Sequence, residues 1–197
     1  MHRNLIPIAV LAAALSACSL QPEALNSERI TDRYGNYGIE IVRQDGNFRV
    51  SNLYSTDDGV RTCRTYAVVE FAGSNRADLI DAHNMIVDGA SIGATLKDSG
   101  WEIRKESFHI GTLRLPEREH PANILMRVKP GVDVAIHAYK LHIEKGSFSA
   151  HYATIVEAHH PDYLGISELR DLYLVPSETD VDAVNHIQQL VLGQSRD

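Results

Sequence analysis

Segments in which apolar and polar residues alternate, each bounded by a glycine-containing turn, constrain the fold of this chain more than any other feature. Two such segments, residues 37–44 and 47–56, are separated by Asp45-Gly46, and a second Asp-Gly pair leads into a third segment, residues 60–71. Side chains of a β-strand point alternately to its two faces, and Asp-Gly between alternating segments is a strong hairpin signal. This part of the chain therefore predicts a three-stranded antiparallel meander.

The periodicity then becomes helical. Residues 77–87 carry apolar side chains three and four positions apart, which predicts an amphipathic helix. Ser91 is a good N-cap for a short helix that ends near Ser99, and a strand over residues 91–97 is the alternative. A third helix is predicted near the C-terminus, where one helix face carries Val181, Val184, Ile187 and Val191.

Further strands are predicted in the second half of the chain. They cover residues 101–115, 123–129, 132–144 and 148–158, with a bend expected at Gly111 and turns at Pro130-Gly131 and Lys145-Gly146. Residues 169–175 fit either a strand or a helix. Groups of strands separated by helices indicate the α+β class. The prediction is one domain over residues 33–197, with an antiparallel sheet of about seven strands, curved or forming half a barrel, and about three helices.

The N-terminus carries the pattern of a targeting signal. Residues 5–15 form an apolar run of 11 residues. A membrane-spanning helix needs about 20 such residues, so the run is too short to span a bilayer but suits the core of a signal peptide. The sequence Leu15-Ser16-Ala17-Cys18 follows it and resembles the lipobox of bacterial lipoproteins, which is a leucine, two small residues and a cysteine. The resemblance covers about the first 20 residues.

Membership of the lipoproteins implies a lipid anchor. In that family the signal peptide, here residues 1–17, is removed, and the cysteine carries a diacylglycerol on its thiol and an acyl chain on its amino group. Cys18 is therefore the expected lipid attachment site, and no other cofactor is expected. Ser19 resembles the outer-membrane pattern, so the chain is expected at the outer membrane, facing the periplasm, with residues 18–32 as a lipidated tether. An ordinary secretory leader is the alternative.

The charge and the cysteine content restrict the partners. The chain has 19 Lys and Arg against 26 Asp and Glu, a net charge of -7. So acidic a chain offers no basic surface to nucleic acid or to anionic headgroups. The expected partners are the membrane, through the lipid, and other envelope proteins. Cys63 has no second cysteine once Cys18 is lipidated, and alternation places it as a small buried hydrophobe on the face of Ala67, Val69 and Phe71.

Histidines are the only candidate site residues in the predicted domain. His159 and His160 precede Asp162, and a turn at residues 145–146 would place His142 and His151 diagonally on one sheet face. We treat all five as weak metal-ligand candidates, because no ligand set has a diagnostic spacing. No catalytic residue is assigned, since a nucleophile elbow and a phosphate-binding loop are both missing from the sequence.

Three functions remain open. The favoured one is a non-enzymatic binding or assembly module anchored in the envelope, which predicts an exposed apolar patch or groove. A small periplasmic hydrolase or metal-binding protein would require the histidines to converge in one cleft. A carrier of lipids or other hydrophobic ligands would require an apolar cavity of several hundred Å³.

Overall fold

The computed structural model describes residues 24–73, 76–174, 186 and 189–192, which form an α+β fold. The strands are β1 (Gly38–Asp45), β2 (Phe48–Asp57), β3 (Val60–Phe71), β4 (Glu102–Arg114), β5 (Asp133–Lys145) and β6 (Phe148–His159). The helices are α1 (Asn26–Tyr34), α2 (Ala77–Val87), α3 (Ile92–Asp98), α4 (Pro121–Met126) and α5 (Ile166–Leu172), and residues 189–192 are also helical.

The six strands form one open antiparallel sheet in the order β1-β2-β3-β6-β5-β4. It consists of two three-stranded units, β1–β3 and β4–β6, which are joined where β3 pairs with β6. The edges are β1 and β4, so the sheet is not closed into a barrel. The central strands β3, β5 and β6 are buried along most of their length, as expected for strands covered on both faces.

Each face of the sheet carries its own hydrophobic core. Against one face pack Met126 of α4 and Val191 of the C-terminal helical residues, together with the loop around Leu115. The other face is covered by two groups of helices, with α2 and α3 over one end and α1 and α5 over the other. The two groups leave a space between them, and the candidate site lies there.

The prediction of seven strands and three helices is corrected to six strands and about six helices. The segment predicted as a strand over residues 123–129 begins with α4 instead. Pro121 occupies the first turn of this helix, where a missing N–H costs nothing, and the His120 ring caps it by accepting a hydrogen bond from the Ala122 N–H at 3.2 Å. The ambiguous segment 169–175 begins within α5, while the helix predicted over residues 77–87 and the one predicted from Ser91 to Ser99 are present as α2 and α3.

Helix α1 changes the predicted domain boundary. Residues 24–32 were assigned to the tether, but α1 is part of the folded domain, because Ile30 has no exposed surface and Asn26 is buried. The Leu25 N–H donates to the Glu28 carboxylate at 2.6 Å, and this bond caps the helix start. Its apolar residues are few in sequence, which is why the segment reads as a polar linker.

Two details of strand register also differ from prediction. A bulge at Arg64 shifts the pairing of β2 with β3, so Cys63 packs against the α4 side of the sheet rather than on the face of Ala67 and Val69. The thiol is fully buried, as expected, and burial raises its pKa. In β4 the irregularity lies at Phe108, not at the predicted bend at Gly111. Of the residues predicted for the C-terminal helix, Val181, Val184 and Ile187 lie outside the described residues.

Candidate functional site

A cavity of about 80 Å³ lies between the sheet and the two helix groups. One water molecule needs about 10–15 Å³ by this measure, so the cavity has room for several waters or one small organic molecule. Its floor comes from all six strands and its rim from the start of α1 and the start of α3. Half of the lining side chains are apolar, and the polar ones are Asn26, Ser27, Tyr37, Arg49, Ser51, Ser91, Lys105, Tyr139 and Glu157.

Strand alternation presents the floor residues to the cavity. Arg49, Ser51 and Leu53 occupy alternate positions of β2, so all three point to the same face. Across the sheet, Arg49 is in register with Val69, and Val69 with Ile155. Beside Arg49, the floor of the cavity is therefore apolar, formed by Val69 of β3 and Ile155 of β6.

Arg49 forms the polar end of the cavity under α2 and α3. Its Nε donates to Ser51 Oγ at 2.7 Å, and its Nη1 donates to the carbonyls of Ile86 at 2.7 Å and Ala90 at 3.1 Å. These carbonyls belong to the end of α2 and the following loop, so they carry partial negative charge only. Burial lowers the pKa of Arg49 below its ordinary value, but a guanidinium stays charged at neutral pH.

The polar end near α1 is a hydrogen-bonded network around Glu157. Asn26 Nδ2 donates to Glu157 Oε1 at 3.1 Å and to Thr65 Oγ1 at 3.0 Å, and Tyr163 OH donates to Asn26 Oδ1 at 2.6 Å. Glu157 is buried. These bonds hold the carboxylate in place at the cavity wall, where its second oxygen, Oε2, lies 3.9 Å from His159 Nε2.

Two histidines beside this network are kept neutral by burial. His159 Nδ1 lies 3.1 Å from Thr65 Oγ1, and His137 Nε2 lies 2.8 Å from Ser107 Oγ. The His137 ring stacks on Tyr173 with ring centroids 4.0 Å apart. Desolvation lowers the pKa of His137 to about 2 and that of His159 to about 3, so both rings are uncharged across the physiological range.

Lysine and tyrosine side chains form the wall on the β4 side. Lys105 Nζ donates to Tyr173 OH at 3.4 Å and lies 5.0 Å from the centre of the Tyr139 ring. Arg29 of α1 also donates to Tyr173 OH. The Tyr173 hydroxyl thus connects α1, the edge strand β4 and the segment after α5 beside the cavity.

The predicted hairpin histidines do meet, but by a different register. The two-residue turn is Gly146-Ser147 rather than Lys145-Gly146, and a bulge near residue 141 brings His142 directly opposite His151. Their ring centroids are 5.8 Å apart, and His142 Nε2 lies 3.1 Å from Glu106 Oε2. The pair lies near the tip of the hairpin and does not line the cavity.

The second predicted cluster is divided between the two faces of the sheet. His159 faces the cavity side, whereas His160 bonds to the Met126 backbone of α4 on the other side. Asp162 is exposed and lies 3.9 Å from His160 Nδ1. About 25 Å of β6 separates residue 159 from residue 151, because a strand rises about 3.3 Å per residue. Across the described ranges, no three His, Cys, Asp or Glu side chains converge as metal ligands would.

Sequence reasoning missed the residues that line the cavity. Arg49 and Glu157 are charged residues that are buried at inward-facing positions of β2 and β6. Such a charge in a strand covered on both sides is the one signal the sequence offered. Asn26 could not be found in this way, because the segment that contains it was assigned to the tether.

The lipid anchor and the similarity to known proteins are separate from the geometry of the cavity. Cys18 lies outside the described residues, and none of the described helices has the length and apolar character of a membrane span. No protein-family model matches the chain, and no curated protein matches it in sequence. Among solved structures, the chain is similar to the crystal structure of PhnF C-terminal domain, with 13% identity and a TM-score of 0.43 over 73% of this chain and 79% of that one.

Proposed function

We propose that this chain is a lipid-anchored binding module of the bacterial envelope, held at the periplasmic face of the outer membrane, which takes up one small organic molecule. The lipobox-like sequence ending at Cys18 supports the anchor. The observation that carries the binding role is the cavity, in which an apolar floor lies between the buried charges of Arg49 and Glu157. Fixed, buried polar groups beside apolar surface are typical of ligand sites.

The size of the cavity favours a small ligand over a lipid. At about 80 Å³ it is well below the several hundred Å³ that a carrier of lipids needs. A hydrolase based on His142, His151, His159 and His160 finds no support in the geometry, because none of these residues lines the cavity and the two pairs lie far apart.

A role in assembly has less support than ligand binding. The exposed large apolar side chains of the described residues are spread over β1, β3, α2, α4 and the end of α5. Scattered apolar residues are normal on protein surfaces and do not define an interface. The concave site on the helix-covered face is therefore the feature on which we base the proposal.

A thermal-shift screen of the full chain in lipid nanodiscs, against a library of small metabolites, tests the binding role. A ligand at 100 times its Kd stabilises the folded state by about 2.7 kcal/mol, which a thermal shift resolves. Ala67→Leu fills the cavity floor and should abolish the shift produced by each hit. Ala77→Leu, on the exposed start of α2, is the matched control and should retain it. Hits that stabilise both variants equally, or a screen without hits, would contradict the proposal.

A further inference from the structure

We infer that the ligand of this cavity carries an anionic group, a carboxylate or a phosphate, which Arg49 binds. The inference rests on the proposed function, because it specifies the chemistry of the molecule that the cavity takes up. Arg49 is one of the residues that line the cavity, and its side chain is fully buried. A fully buried guanidinium at the wall of this space is the starting observation.

The charge of Arg49 has no counter-charge within the described residues. All its hydrogen bonds go to neutral oxygens, those of Ser51, Ile86 and Ala90, and no described carboxylate oxygen lies within 4.0 Å of it. Buried charges in proteins are normally paired, because an unpaired one has lost its hydration without a compensating partner. An anionic ligand would supply the missing charge.

The hydrogen-bonding capacity of Arg49 also remains incomplete. The three bonds leave from Nε and Nη1, and within the described residues none leaves from Nη2. A guanidinium binds carboxylates and phosphates through its planar fork of donors, with shorter and stronger bonds than neutral partners give. The protein thus fixes one side of the fork and leaves the other side for an oxyanion.

The other residues that line the cavity indicate the chemistry of the rest of the ligand. Val69 and Ile155 lie in register with Arg49 and provide apolar floor. Glu157 lies two strands from the Arg49 strand, about 10 Å away across the sheet at about 4.8 Å per strand. The ligand that fits is a small acid with a short apolar body, and its far end would lie beside Glu157, in the part of the cavity that Lys105 also lines.

Calorimetric titration of the full chain in nanodiscs with hexanoate, hexyl phosphate and 1-hexanol tests the inference. The three probes share one apolar body, and only the first two carry a charge. At least one anion should bind about tenfold or more tightly than hexanol, since a charge-assisted bond to Arg49 is available only to the anions. The preferred anion then identifies the carboxylate or the phosphate as the natural group.

Two variants assign the preference to Arg49. Arg49→Met keeps the length of the side chain but removes its charge, and it should lower the anion affinity at least about tenfold while leaving that for hexanol unchanged. Arg43→Met, on the exposed surface of β1, is the matched control and should bind as the wild type does. The comparison of the three probes on wild-type protein stands even if Arg49→Met fails to fold.

The outcomes separate the two proposals. If hexanol binds as tightly as the anions, or if folded Arg49→Met retains the anion preference, the inference about charge is overturned while the cavity remains a binding site. If none of the three probes binds and the metabolite screen also gives no hit, the binding role itself is overturned.

Discussion

At the scale of single residues, the environment of a side chain determines its chemistry more than its identity does. His137 and His159 remain neutral because they are buried, while Arg49 in the same core stays charged. The sequence drew attention to the histidines because they are numerous, yet His142 and His151 of the β5–β6 hairpin lie away from the cavity. Arg49 and Glu157 become buried charges only because helices cover this face of the sheet. No short sequence pattern predicts that packing.

Acid should destabilise the protein through the two buried histidines. The pKa of each is about 6.5 in the unfolded chain and about 2 or 3 in the folded one, so below pH 6.5 the unfolded chain binds protons that the folded chain does not. Stability is therefore present above pH 6.5 and falls as the pH drops toward 3, by up to about 1.4 kcal/mol per pH unit for each histidine.

His137→Phe isolates one of these contributions. The substitution keeps an aromatic ring against Tyr173 but removes the titrating group, so the free energy of unfolding should fall less steeply between pH 6.5 and 4 than in the wild type. Urea denaturation followed by circular dichroism at several pH values measures the slope. Equal slopes for the two proteins would mean that His137 is protonated equally in the folded and unfolded states.

At the scale of secondary-structure elements, the sequence predicts what depends on local periodicity and misses what depends on distant partners. Helix α2, the limits of α3 and all six strands follow from spacing and turn residues. Helix α4 was mistaken for a strand, because its six residues are too few for a helical period to appear. Helix α1 was missed because its stability comes from Ile30 in the core and from Asn26, Arg29 and Arg33, whose partners lie more than 100 residues away.

Removing the buried side chain of α1 should therefore destabilise the whole domain. Ile30→Ala should lower the free energy of unfolding by about 2–5 kcal/mol, as is usual when a large aliphatic side chain is truncated in a core. Asp32→Ala, on the exposed side of the same helix, should change it by less than about 0.5 kcal/mol. Urea denaturation gives both values. A small effect of Ile30→Ala would mean that α1 belongs to the tether and does not contribute to the stability of the domain.

At the scale of the whole molecule, the main expectation is the lipid anchor. Intact-mass measurement of the full chain expressed in a bacterial envelope should give a product that begins at Cys18 and carries acyl chains. Cys18→Ser should abolish lipidation, so its product should carry no acyl mass. Acyl-free wild-type protein would contradict the anchor.

The packing of α1 into the core sets a limit on how far the binding site can move. Seven peptide units separate Cys18 from Leu25, whose side chain lines the cavity, and seven residues extend at most about 25 Å. An acylated Cys18 would thus be joined to the rim of the cavity by a short segment of chain. The cavity rim would stay within about 25 Å of the lipid headgroups, where it would meet molecules that leave the bilayer.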